Sequence, residues 1–180
     1  MTIDPELYEP YADASGRAIE SPEVFVKRMR STVLPSWPEE VLREWLYRHR
    51  GFLFRYAHLA FPRFRFSRET WPLDRVPGRE AFREGEFCDS FSNVEERATN
   101  PYDWLALFML ERGTWNTPIV VLSNERGEHR DEWDEAPLRA PYQLLEGHRR
   151  LSFLVGLRRL RRALPHHEVF VVSIEDAEIP

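Results

Sequence analysis

The stretch PYQLLEGHRRLSFLVGL, residues 141–157, crowds Glu146, His148, Arg149 and Arg150 around the joint between two hydrophobic elements. Gly147 sits where a strand must turn into a helix, a change of direction that glycine makes at little steric cost. The first amides of such a helix lack intrahelical partners and carry the positive end of the helix dipole, so the turn attracts anions, phosphate in particular. Two arginines at that position oppose the dipole by roughly 0.3–1 kcal/mol each. An anion would reverse the sign of that effect. Gly147, His148, Arg149 and Arg150 are therefore the candidate phosphate- or nucleotide-binding residues. Glu146 could hold Mg²⁺ bridging the phosphate or orient a water, and His148 has the pKa range of a general acid or a phosphate contact. Together Glu146, His148 and Arg149 form the candidate catalytic set. Spacing alone leaves a plainer reading open, in which Glu146 pairs with an arginine and the rest is solvated surface.

Two further basic clusters bear on nucleic acid. Between Arg48 and Arg68 there is no acidic residue, and Arg63 and Arg65 alternate with Phe61, Phe64 and Phe66. Guanidiniums that track phosphates, interleaved with rings that stack on bases, suit single strands. The same spacing also suits an aromatic core with a basic surface, and that reading is preferred. Arg158, Arg159, Arg161 and Arg162 lie on the helix opened by Gly147, where they would extend an electrostatic track or form a solvated face. The acidic run GEHRDEWDE, residues 127–135, has no EF-hand register and reads as a mobile loop.

The elements that must position these residues follow from periodicity. Ser21 and Pro22 open one short helix, and Ser36 and Pro38 repeat the signal for a second that buries Val41, Leu42, Trp45 and Leu46. PRFRFS reads as a half-buried strand, with residues 67–98 mostly loop. A helix is expected from a cap near Asn100 to Gly113, with Trp104, Leu105, Phe108 and Met109 inward. TPIVVLS and YQLL read as strands. RRLSFLVGLRRLRRAL reads as a helix whose stripe runs from Leu151 through Leu160 to Leu164. His166 and His167 read as turn residues before a last strand, EVFVVSI. Strand, strand, helix, strand over the C-terminal third signals a mixed α/β domain.

Composition sets limits. The 180 residues are 42% hydrophobic and 13% aromatic, enough for one domain with a real core. A net charge of −5 argues against a uniformly basic nucleic-acid binder but permits a local basic groove. Of the 25 basic side chains, all but Lys27 are arginine. Cys88 is the single cysteine, so no intrachain disulfide is expected, and a reducing, cytoplasmic setting fits. The longest apolar run, WLALFML, is far too short to span a bilayer, so membrane insertion is not expected.

TPIVV, then YQLLEGHRRLSFLVGL, then EVFVVSI resemble the core of the ParB/sulfiredoxin superfamily over about residues 100–175. That family shows a PI-V strand, a G-x-R-R turn opening a helix, and a closing V-V-V-like strand. The resemblance implies a small mixed sheet with flanking helices over residues 61–180, preceded by an N-terminal arm and helical extension over 1–60. It also implies phosphate binding at residues 147–150. His148 stands where partition ParB proteins carry glutamate, and no E-N-x-x-R motif follows, which argues against a CTP-switching clamp. Cys88 is far from the turn, which argues against sulfinic-acid repair. Compact members without a helix-turn-helix include the Osa-type fertility inhibition factors of conjugative plasmids, to which this chain is similar in size and build. That likeness implies ATPase and DNase activity with ATP and Mg²⁺, DNA as a partner, and a place beside a conjugation or secretion apparatus. The rivals are a non-enzymatic DNA- or protein-docking module that uses its arginine faces, and a small-molecule kinase.

Overall fold

A computed structural model of the chain describes residues 5–49, 56–83, 89–130 and 136–175. It is a mixed α/β protein. Four strands form one sheet: β1 (Phe64–Pro72), β2 (Ile119–Ser123), β3 (Tyr142–Glu146) and β4 (His166–Ile174), in the order β1-β4-β2-β3. The helices are α1 (Pro22–Ser31), α2 (Glu39–Val41), α3 (Asp89–Ser92), α4 (Val94–Arg97), α5 (Trp104–Arg112) and α6 (His148–Arg159). α2 runs directly into a π-helical segment, Leu42–Tyr47. Among the described residues no helix is long and apolar enough to cross a membrane.

The chain divides into two compact units, one of residues 1–66, 131–136 and 172–180, the other of residues 67–130 and 137–171. The first unit is built on aromatic packing. Ser21 caps α1 by accepting from the Val24 amide at 3.3 Å, and α1 buries Phe25, Val26 and Met29. Trp37 stands at the centre, with ring centroids of Trp45, Phe61, Phe64 and Phe66 all 4.9–5.7 Å away. Its indole N–H donates to the Phe61 carbonyl at 3.1 Å. Phe61 and Phe64 are thus core residues, and their rings are closed to nucleobases.

The second unit carries the candidate site. Its core joins Trp71, Val76, Phe82, Met109, Ile119, Val121, Leu144, Leu151, Phe153, Leu154, Leu157 and Val169. β2 and β3 pair antiparallel, Val120 opposite Glu146 and Val121 opposite Leu144, with a register shift between Val120 and Val121. α5 is capped by Asp103, which accepts from the Ala106 amide at 3.2 Å, and ends at Gly113 with φ 71°. α6 lies so close to α3 that a Cβ on Gly156 would stand 2.0 Å from the Ser92 carbonyl oxygen.

Several expectations are corrected. β1 continues through Pro72, so residues 67–72 are strand rather than loop. Its inner half lacks two-residue alternation, which hid it from periodicity. Pro38 itself, not Ser36, occupies the cap position of α2. The cap of α5 is Asp103, three residues after Asn100, and the helix buries Leu105, Ala106 and Met109 while Trp104 lies outside. α6 ends at Arg159, where the chain turns through a left-handed Arg161 (φ 56°), so Leu160 and Leu164 leave the stripe and are exposed. His166 and His167 are not turn residues but open β4, with His167 buried. Cys88 and most of the acidic run, residues 131–135, lie outside the described residues.

Candidate functional site

The joint between β3 and α6 is fixed by one glycine. Gly147 adopts φ 101°, ψ 28°, and a Cβ there would meet Ile119 Cγ2 at 2.7 Å. Both backbone angle and space exclude a side chain. Because the cap residue is glycine, no side chain caps the start of α6. The amides of its first turn therefore have no side-chain partner from the cap position.

The charged residues around this turn divide into an inner and an outer pair. Glu146 ends β3 with 5% of its surface exposed, and Arg150, one helical turn later, is buried to a similar degree. Arg150 Nη2 donates to Glu146 Oε1 at 3.1 Å, while its Nη1 donates to the carbonyls of Thr117 at 3.0 Å and Pro118 at 3.3 Å. This buried pair ties the first turn of α6 to the chain just ahead of β2. A buried ion pair is stabilising only when its remaining hydrogen-bonding groups are satisfied, and the two carbonyls do this for Nη1 of the guanidinium.

His148 and Arg149 face outward. The His148 ring packs edge-to-face on Phe82, centroids 5.7 Å apart. Arg149 Nη2 donates to both carboxylate oxygens of Asp103 at 2.8 Å, and its Cζ lies 5.4 Å from the Phe91 ring centre and 5.5 Å from that of Phe153. Asp103 also accepts from Arg97 Nε at 3.2 Å. The cap of α5 is thus tied to the first turn of α6 and the last residue of α4.

The structure brings Glu146, Gly147, His148, Arg149 and Arg150 into one place, as contiguous sequence must. The other arginines singled out in the sequence are engaged by partners of their own. Arg158 reaches the carbonyls of Leu73 at 2.6 Å, Pro77 at 3.3 Å and Val76. Burial pushes its pKa down from the usual arginine value, with Glu80 opposing. It also lines an open cleft of about 620 Å³ with Pro72, Leu73, Asp74, Pro165 and His166. Arg159 donates to Ser92 Oγ at 3.1 Å and Arg162 to the Leu110 carbonyl at 2.7 Å. In the first unit, Arg63 donates to the Glu175 carbonyl through Nε at 2.6 Å and through Nη2. Arg65 forms a fork on the Glu175 carboxylate at 2.6 and 2.5 Å.

Asp103 and Arg97 were missed by sequence reasoning. Asp103 had a readable signal, since Asp three residues before Ala106 is as good a cap as Asn100. Arg97 had none, because its partner choice is tertiary.

Chemically, the uncapped amides that open α6 are donors that an anion's oxygens could accept from, with the buried Glu146 before them in the chain and the half-exposed Arg149 among them. Among the described residues no group of three or more His, Cys, Asp or Glu side chains could hold a metal ion. A divalent cation would fit only as Mg²⁺ commonly binds with nucleotides, through one protein carboxylate, phosphate oxygens and water. Glu146 is the one carboxylate within the turn itself. No protein-family model, curated protein or solved structure matches the chain.

Proposed function

We propose that the chain is a nucleotide-dependent phosphohydrolase of the ParB/sulfiredoxin type, an ATPase, a DNase or both, working at the turn that opens α6. The observation that carries this reading is the start of α6 at a left-handed glycine without a side-chain cap, with Glu146 immediately before it and the half-exposed Arg149 just after it. Backbone amides of the first turn would take the closest phosphate oxygens. Arg149 would close the rim, since a planar guanidinium matches phosphate geometry. Arg150 is engaged by Glu146 and two carbonyls, so its role is to fix Glu146 in place. Glu146 would then orient the attacking water, and His148 would protonate the leaving oxygen. Mg²⁺ arriving with ATP would neutralise charge on the transferred phosphate. The conjugation or secretion apparatus implied by the family resemblance belongs to the same proposal as the cellular setting.

The test is Mg²⁺-dependent phosphate release from ATP by the purified chain, with Glu146→Gln and Arg149→Ala in parallel. Glutamine is chosen because its amide oxygen still accepts from Arg150 Nη2, whereas truncation would leave that buried donor without an acceptor. Turnover should fall about 100-fold or more in Glu146→Gln, the scale of a lost general base. Binding of ATP should weaken in Arg149→Ala. Wild-type rates in both variants, or no turnover in the wild type, would overturn the assignment.

A further inference from the structure

The arginines that the sequence offered for nucleic acid are largely engaged by the protein's own carbonyls and carboxylates. Arg158, Arg162 and Arg63 reach backbone oxygens and Arg65 reaches Glu175. Arg97 and Arg149 differ. They converge on one carboxylate, that of Asp103, whose side chain is 4% exposed. Two positive charges therefore face one negative charge, and the surplus is not neutralised by the pairing.

Their donors are only partly used. Arg149 engages Asp103 through Nη2 alone and Arg97 through Nε alone. Among the described residues, Arg149 Nε and Nη1 and Arg97 Nη1 and Nη2 have no acceptor. The two guanidiniums also lean on the same ring, with Cζ atoms 5.1 Å (Arg97) and 5.4 Å (Arg149) from the centre of Phe91. The shared ring and the shared carboxylate restrain both forks, which reduces the side-chain entropy lost when an anion arrives. A phosphate, with several acceptor oxygens and negative charge, matches the unused donors and the charge surplus together.

The residues on either side of Asp103 are aromatic and exposed. Tyr102 has 90% and Trp104 56% of its surface open to solvent, and Leu107, one turn along α5, has 40%. Most of the Tyr102 surface and over half of the Trp104 surface take no part in the packing of the second unit. Beside a phosphate clamp they offer surfaces on which bases can stack, which a duplex does not present because its bases already stack on each other. Glu95 and Glu96 precede Arg97 on α4, and the chain as a whole carries −5, so the surroundings do not favour sequence-blind attraction to a duplex.

We propose that Arg97 and Arg149, gripped by Asp103, form a phosphate clamp, and that Trp104 and Tyr102 beside it stack nucleobases, so that this face of the second unit binds single-stranded nucleic acid. The site shares Arg149 with the hydrolytic turn but requires no turnover, and it goes beyond that reading by naming a polymeric ligand and residues outside residues 146–150.

The experiment is fluorescence anisotropy with a labelled short oligothymidylate and a duplex of equal length, in EDTA so that hydrolysis plays no part. Wild type, Trp104→Ala and Arg97→Gln are compared, and Arg149 stays intact throughout. The expected result is preference for the single strand. Affinity should fall about tenfold or more in Trp104→Ala, the scale of one lost base stack. In Arg97→Gln the slope of log affinity against log salt should become shallower by about 0.7, one phosphate contact on a single strand. Trp104 is exposed, so its replacement tests binding without threatening the fold. No binding by the wild type at low salt, equal affinity for duplex, or unchanged affinity in Trp104→Ala would each overturn the proposal. Failure of ATP turnover would leave it standing.

Discussion

At the scale of single residues, the second unit places one titratable group where water cannot compensate it. His167 is buried at the start of β4, with Nδ1 2.8 Å from Thr114 Oγ1 and Nε2 2.9 Å from the Leu164 carbonyl. A carbonyl cannot donate, so Nε2 carries the proton and Nδ1 accepts from the threonine hydroxyl. Burial pushes the His167 pKa below the ordinary 6.5; Arg158 and His166 lower it further, against the Leu164 carbonyl. The neutral ring therefore favours the fold. Its contribution is fully present above about pH 6.5, the unfolded value, and is lost as pH falls from there towards the lower folded value. Thermal midpoints measured across this window should decline with acid in the wild type and decline less in His167→Gln. Identical profiles would remove His167 as a cause. None of this was legible beforehand: two adjacent histidines after a leucine-rich helix look like a turn, and only the packing of Trp115 against the His167 ring, 5.0 Å between centroids, reveals an interior site.

At the scale of elements, local preference and tertiary contact pull in opposite directions at Gly156. Intrinsic helix propensity says that Gly156→Ala should stabilise α6 by about 1 kcal/mol. The contact says otherwise, because the new Cβ would lie 2.0 Å from the Ser92 carbonyl oxygen, a backbone atom of α3 that cannot swing aside. Contact wins, and urea denaturation should show Gly156→Ala less stable than wild type by about 1–3 kcal/mol, the usual cost of overpacking. An unchanged or raised midpoint would mean that α3 yields. The same contrast explains which elements the sequence disclosed. β2 and β3 were readable because each is a short apolar run between turn residues, and β4 because VFVV has no other plausible state. The joint at Gly147 was readable because it is local in the chain. The start of α5 was misread by three residues because Asn100 and Asp103 are equally good caps, and the choice between them rests on the two arginines that Asp103 must receive.

At the scale of the whole molecule, the near-absence of lysine acquires a structural meaning. Arg158 spans three backbone carbonyls, Arg150 two carbonyls and a carboxylate, and Arg65 a carboxylate in a two-pronged fork. A guanidinium presents five donors in a fixed plane and an ammonium three around a point, so the two are not equivalent here. Arg158→Lys should lower stability by about 1–3 kcal/mol through carbonyls left unsatisfied, read as a shifted denaturation midpoint at constant charge. A midpoint equal to wild type would return the arginine excess to compositional bias. Apart from Glu146, these partners lie 32 or more residues from their arginine in the chain, which is why the sequence suggested surface tracks where the fold has staples. The division into units has a temporal consequence. The first unit includes residues 1–66 but also 172–180, and Glu175 receives both Arg63 and Arg65. During synthesis residues 1–66 thus leave the ribosome before the second unit but are completed after it. Residues 67–130 and 137–171, which hold the whole Gly147 turn and the Asp103 clamp, can close around their own core while the aromatic nest upstream still waits for the end of β4.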